Sequence, residues 1–482
     1  MLVRSGARIP VALSRHEALV TAVALGSIVG GTNLALWSVP SNVAAEGTLA
    51  VSGMWMCLGL ACAVGADVLF RGLGAVFRAE HIVMPGIVYF LLIDLLEGLY
   101  PVAAPADMIA AAFIAIALFA SGCVVARLIP PLRLPRAIRE SVTGEYSEGL
   151  LLGLLIAFFG LGMFRFFWAS GFSTDVLLEG LGAPRFSAPW SRGQFGGWDA
   201  LTDALINFGY PLGTFTVMLA LRSRRWMDWK VGLGMLLSAI FLLFIAQGGS
   251  RRLVGVVIGA GLFTWACGNR GRLHLASALG IVVTVAALLG AMNVLLEARN
   301  EGWAEYVYEA PGSGAIRVDD NFLRLTQVIE AVPENHPHIG FQWIWYLLVR
   351  PVPRILWAGK PMDSGFSLPD YLGLEGVSLS TSVIGEWYLG FGWAGVFLGG
   401  LLFGLLGRTW SQVLEDGRTV KSLGVYGFGV VVLFLGIRSM IELILLCYPL
   451  ALWIVADRLI TRRPGTSRAS GLHHKSNVGS IN

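Results

Sequence analysis

Charge is scarce in this chain. Asp, Glu, Lys and Arg supply 14% of its 482 residues, against about a quarter in an ordinary soluble domain. With 55% hydrophobic residues and a mean hydropathy of +0.69, that shortage excludes a soluble globular fold. Cysteine is scarce too. The five present, Cys57, Cys62, Cys123, Cys267 and Cys447, all lie in or at the end of apolar runs, and no CxxC occurs. They read as small buried apolar side chains rather than a disulfide framework. There is no P-loop, no GxSxG and no dinucleotide fingerprint, so no cofactor is expected. A net charge of +4 and a pI near 8.8 are too slight to indicate nucleic acid. In a membrane protein the basic residues mainly set topology. The opening MLVRSGARIPVALSR is basic but has no long apolar core and no cleavage site. It reads as an uncleaved cytoplasmic tail.

What the chain has in abundance is apolar runs of roughly 20 residues, each long enough to cross a bilayer. The fold class is all-α: a polytopic membrane protein of about twelve transmembrane helices. The runs are 17–39, 46–67, 81–100, 106–126, 147–167, 199–221, 231–248, 253–267, 274–294, 382–407, 422–438 and 441–459. Residues 1–463 form one polytopic domain, and 464–482 read as a disordered cytoplasmic tail. One large external loop, about 295–381, carries NFLRLTQVIEAV, with Phe322, Leu325, Val328, Ile329 and Val332 on one helical face. It also carries QWIWYLLV, too short to span and suited to the membrane interface.

An even number of spans puts both termini on one side. Most of the 35 Lys and Arg fall in loops on that side, which makes it cytoplasmic. The exceptions need a reason. They are Arg165, Arg185, Arg192, Arg251, Arg252, Arg299, Arg317, Arg324, Arg350, Arg354, Lys360 and Arg438. All but one are arginine, whose planar fork suits phosphate.

Several constellations stand out, each with two readings. Arg251 and Arg252 close GGSRR between two spans, which is a plain hairpin turn or a phosphate cradle. Arg438 interrupts the last apolar stretch with Glu442 one turn on, as an ion pair or a ligand site. Asp94 and Glu97 either cap a helix or orient an arginine. Arg354 and Lys360 flank Trp357 in PRILWAGKP, a loop stiffened by Pro351, Pro353 and Pro361. Such a cationic loop suits a diphosphate. Glu386, in GEWYLGFGWAG, is a helix N-terminal partner or a general base. His336 and His338, in ENHPHIG, are loop histidines or candidate bases. No metal ligand set appears, because two histidines alone are weak for zinc and Asp319–Asp320 is not a DxD.

The order SRR, NFLRL, HIGF, PRILWAGKP and IGEWYLGFGWAGVFLGGLLFG resembles the Wzy-type oligosaccharide repeat-unit polymerases of O-antigen and exopolysaccharide synthesis. The resemblance is clearest over about residues 245–440. It implies a metal-independent glycosyltransferase of multi-span, GT-C-like architecture in the bacterial inner membrane, joining undecaprenyl-diphosphate-linked repeats on the outer face. It implies a chain-length regulator (copolymerase) and a flippase as partners. Residue by residue, Arg251 matches the Ser-Arg position, Arg354 and Lys360 the PR…KP motif, Glu386 the GE motif and Arg438 the late intramembrane arginine, and these cations with Arg252 are the candidate diphosphate ligands. Glu386, His336 and His338 are the candidate catalytic bases. An O-antigen ligase and a polysaccharide transporter or flippase are the alternatives.

Overall fold

A computed structural model describes residues 15–40, 47–98, 102–184, 187–191, 198–248, 251–269, 320–350, 352, 356–361, 364–374, 379–417 and 419–461, with isolated positions between 280 and 294. Among these residues the fold is helical, with no strand. The elements used below are α1 (Glu17–Trp37), α2 (Ala50–Arg71), α3 (Ala79–Glu97), α4 (Ala106–Leu128), α5 (Glu148–Ala169), α6 (Leu201–Ser223) and α7 (Trp229–Gln247). They continue with α8 (Arg251–Gly268), α9 (Asn321–Ala331) and α10 (Gln342–Val349). The last three are α11 (Ser382–Glu415), α12 (Val420–Gly436) and α13 (Met440–Ile460).

Nine of the described helices are long and apolar enough to cross a membrane: α1 to α7, α11 and α13. The apolar stretches of α8 and α12 are shorter. The expected run 274–294 lies largely outside the described residues, as do the tail 464–482 and much of loop 295–381.

Lipid tails are as apolar as leucine, so burial alone does not hold membrane helices together; close packing does. Glycine provides that approach. A Cβ on Gly400 would sit 2.0 Å from the Phe119 carbonyl oxygen, and one on Gly404 2.5 Å from that of Cys123. The backbones of α4 and α11 therefore touch. Gly213 likewise lets α6 meet the Val257 carbonyl of α8, and Gly31 faces Gly59 between α1 and α2. Along Gly400 and Gly404 the space beside the Gly-rich stretch of α11 is filled by α4.

Two helices depart from regular geometry. α3 contains a π-turn at Val88–Leu92, and the Phe90 carbonyl there accepts from Asn321 Nδ2 at 3.1 Å. α11 is broken: Phe391 (φ −142°, ψ 15°) and Gly392 (φ 63°, ψ −151°) are non-helical. The break answers a length problem. An unbroken helix of 34 residues would run about 51 Å, against a hydrocarbon core of about 30 Å. The two halves fold against each other. A Cβ on Gly395 would lie 2.4 Å from the Trp387 carbonyl, and one on Gly399 2.5 Å from its indole ring.

The amphipathic face expected in 321–332 is present. Phe322, Leu325, Val328, Ile329 and Val332 are all buried, and α9 packs on α4, α11 and the π-turn of α3. Phe113 and Phe322 meet with centroids 5.0 Å apart. Part of the large loop is thus embedded in the bundle rather than lying outside it. α10 also forms as expected, with Trp343, Leu347 and Val349 buried and Trp345 and Leu348 exposed.

Candidate functional site

At the end of the bundle where α12 closes and α13 opens, a three-residue link carries Arg438. Ile437 and Ser439 flank it. The start of α11 binds this link from the side. Val383 N–H donates to the Ile437 carbonyl at 3.0 Å, and the Ser380 hydroxyl donates to the Arg438 carbonyl at 3.0 Å. Glu386 completes the contact. Its Oε1 accepts from the Ser439 hydroxyl at 2.6 Å, and its Oε2 accepts from the Met440 N–H at 2.8 Å. The carboxylate therefore sits on the opening amide of α13, where the helix dipole favours negative charge. Ser439 caps the same helix through its own Oγ, which accepts from Ile441 N–H at 3.1 Å.

Arg438 reaches Glu442 one turn on, with Nη1 3.3 Å from Oε1 and both side chains largely buried. Glu386 reaches the same turn through Ser439 and Met440, the residues that follow Arg438. The i,i+4 pair read from sequence is present, and the structure adds Glu386 to it.

The break in α11 forms the second part of the site. Helix breaks free carbonyls, which in lipid need a partner. Leu389 C=O accepts from Ile339 N–H at 3.1 Å, and Gly390 C=O from Gly340 N–H at 3.0 Å. His338 Nδ1 lies 3.4 Å from the same Leu389 oxygen. A Cβ on Gly392 would come within 3.1 Å of His338 Nε2, so the ring lies over the break. The HIG turn that looked like a loop motif is thus the fastening of a broken helix. Trp343 and Trp387 pack edge to face beside it, with centroids 5.3 Å apart. Both indole N–H groups are buried, and neither has a hydrogen-bond partner among the described residues.

The other expected residues fall as follows. His336 is half-buried against the Phe366 ring, with centroids 5.1 Å apart, and its Nδ1 is 2.7 Å from the Pro337 carbonyl. Lys360 is turned inward. Its exposure is 8%, and Nζ donates to the carbonyls of Arg350 and, at 2.9 Å, Val352. It closes the chain leaving α10. Arg354 lies outside the described residues. Arg251 and Arg252 form the first turn of α8; the link before them is therefore shorter than the five residues read from sequence, and their side chains lie outside the described set.

Arg165, one of the basic residues set against the topology rule, is spoken for. It is 1% exposed. Its guanidinium donates to the Trp190 carbonyl at 2.9 Å, the Ser191 carbonyl at 3.2 Å and Thr202 Oγ1 at 3.2 Å, and pairs with Asp203. Gln247 continues the clamp, accepting from Trp190 Nε1 at 3.0 Å and donating to the Ala183 carbonyl at 2.9 Å. This arginine fastens the segment after α5.

Ser439, Ser380 and Trp387 were not singled out from sequence, and Trp343 was read only as an interfacial aromatic of QWIWYLLV. Ser439 had a signal: Ser-Met-Ile-Glu, from Ser439 to Glu442, has the spacing of a helix-start capping box. Among the described residues no group of three or more His, Cys, Asp or Glu gathers as a metal site.

Residues 321–442 match a domain family of unknown function, DUF8712. The matched stretch opens at the first residue of α9 and ends at Glu442, so it holds both parts of the site. No curated protein and no solved structure matches the chain.

Proposed function

We propose that the chain is a polymerase of lipid-diphosphate-linked oligosaccharide repeats, a GT-C-like glycosyltransferase of about twelve spans. It would work at the outer face of a bacterial inner membrane with both termini cytoplasmic. One observation supports this most: a largely buried arginine, Arg438, with Glu442 and Glu386 beside it, at one end of a bundle of membrane-crossing helices. An arginine so placed suits an anionic group that arrives on a lipid.

The reaction needs what such a site offers. A sugar hydroxyl of the acceptor attacks the anomeric carbon of the donor glycan. The bond from that carbon to the diphosphate oxygen breaks, and its electron pair leaves with undecaprenyl diphosphate. The hydroxyl proton passes to a base, with His338, His336 and Glu386 as candidates. Arg438, Arg354, Arg251 and Arg252 would stabilise charge growing on the leaving group, with Lys360 holding the loop that carries Arg354. Function in the cell would call for a flippase to deliver repeats and a chain-length regulator beside the enzyme.

The test is the product. Losing one charge-assisted contact of about 2–4 kcal/mol in the transition state slows turnover roughly 30- to 1000-fold. Arg438→Ala and Arg354→Lys should therefore leave cells with single repeats in place of long chains, at unchanged protein level. Long chains from Arg438→Ala and Arg354→Ala alike would sink the reading. Activity of the purified enzyme should survive chelation. A ligase would instead pass a finished chain to a different acceptor. A transporter is the second reading, because a discontinuous helix such as α11 is a feature of many transporters. Purified protein that moves lipid-linked repeats across vesicles without joining them would favour it.

A further inference from the structure

We propose that Glu386 is a positioning residue: its carboxylate clips the 437–439 link to α11 and so aims Arg438, and it does not take the acceptor proton. The diphosphate that Arg438 meets rests on the function proposed above, whereas the clip rests on geometry alone.

The link between Gly436 and Met440 is tied to α12 by its amides, Ile437 N–H to the Phe434 carbonyl at 3.2 Å and Arg438 N–H to the Leu435 carbonyl at 3.0 Å. Its other groups are held from α11 and the Ser380 just before it: Ile437 through its carbonyl, Arg438 through its carbonyl, and Ser439 through its hydroxyl. The Met440 amide then follows on Glu386 Oε2 at 2.8 Å. The first two bonds join neutral groups. The last two end on a carboxylate, and charge-assisted bonds are roughly twice as strong. Glu386 is therefore the strong half of the clip. Ser439 is its pivot, because one hydroxyl both donates to Glu386 and caps α13.

The same bonds argue against a base. An ionised carboxylate only accepts hydrogen bonds, and each Glu386 oxygen already accepts one from the chain. A proton taken there would weaken the bonds that fix the Arg438 backbone. That would happen in the step where the leaving diphosphate most needs the guanidinium. The proton is better received by an imidazole. His338 sits over the break in α11, its Nδ1 directed at the Leu389 carbonyl.

The experiment combines hydrogen exchange of the 437–441 backbone with steady-state kinetics on lipid-linked repeats across pH. Glu386→Gln should speed exchange and lower kcat roughly 10- to 100-fold, because the guanidinium it aims acts in the transition state. It should leave KM within about threefold of the wild type and the acid limb of the pH profile in place. Ser439→Ala, which spares the carboxylate, should show the same pattern at smaller size. Glu386→Gln combined with Arg438→Lys should be no worse than Arg438→Lys alone, since both act through one group. Loss of the acid limb in Glu386→Gln overturns the proposal whatever exchange shows. If the wild-type protein neither polymerises repeats nor binds farnesyl diphosphate, the proposed function fails. The clip is then judged by exchange, and unchanged exchange in both single variants removes it.

Discussion

The two ends of the bundle differ in how charge is paired, although at the first of them Arg408 also grips the Ala126 and Ile129 carbonyls. Where α2 closes and α3 opens, acid meets base side chain to side chain. Asp67 holds His81 at 2.7 Å and Arg71 at 3.0 Å. Arg78 joins Glu80 at 2.5 Å to Glu415 at 2.7 Å, and Lys421 meets Asp457 at 2.6 Å. Burial opposes the charge on Arg78, yet Glu80 and Glu415 outweigh it and hold its pKa above the ordinary guanidinium value. At the opposite end the charged groups also grip the backbone. Arg165 holds the carbonyls of Trp190 and Ser191, Lys360 those of Arg350 and Val352, and Glu386 the Met440 amide. The first arrangement welds helices from distant parts of the chain. The second ties loops to helices. The lesson is about replaceability. A buried ion pair is often exchangeable for an apolar pair at little cost. A backbone carbonyl cannot be mutated away, so the side chain that satisfies it is harder to replace.

The sharpest way to break this contrast is Arg165→Ala. It strips two carbonyls, Thr202 and Asp203 of a buried partner at once. Removing one member of such a buried set costs about 3–5 kcal/mol. Thermal unfolding in detergent should show that loss, with new protease cleavage between Ala183 and Ser191. A loss under about 1 kcal/mol would mean the segment is held by something else.

Gly392→Ala should come next. It imposes a side chain on a left-handed φ of 63° and pushes it against His338, at a cost of about 1–3 kcal/mol. Faster exchange at the Ile339 and Gly340 amides would locate the damage. Normal stability with normal exchange would show that the break does not depend on glycine.

The smallest effect belongs to Arg222→Ala. Arg222 and Glu145 lie 2.6 Å apart but both are well exposed, so the pair contributes less than about 0.5 kcal/mol and fades with salt. A larger, salt-resistant loss would bring this pair into line with the buried ones and blur the contrast.

How far the sequence could be read follows the range of the forces involved. Apolar runs and their lengths are local, and they marked the nine described helices that are long and apolar enough to cross a membrane. The periodic face of α9 and the Arg438–Glu442 spacing are also local, and both are found. The break in α11 was not legible, because 382–407 reads as one unbroken apolar helix. What bends it is Gly392 in a left-handed conformation, with amides supplied from about fifty residues earlier. A total length well beyond a bilayer, and glycines at 390, 392 and 395, were the available hints. The tasks of Arg165 and Lys360 were invisible for the same reason, since backbone carbonyls leave no mark in a list of side chains. Glu386 was legible as a helix-terminal carboxylate, although the terminus it serves belongs to α13 and not to its own helix.

The break in α11 also bears on how the protein is made. Synthesis runs from the N-terminus, so the Ile339 and Gly340 amides leave the ribosome before the Leu389 and Gly390 carbonyls that receive them. The donors are therefore made before the acceptors they will serve. A circular permutation that reversed that order would ask the bilayer to take two bare carbonyls, each costing several kcal/mol. The order of the chain thus spares α11 an insertion step that its finished structure could not reveal by its contacts alone.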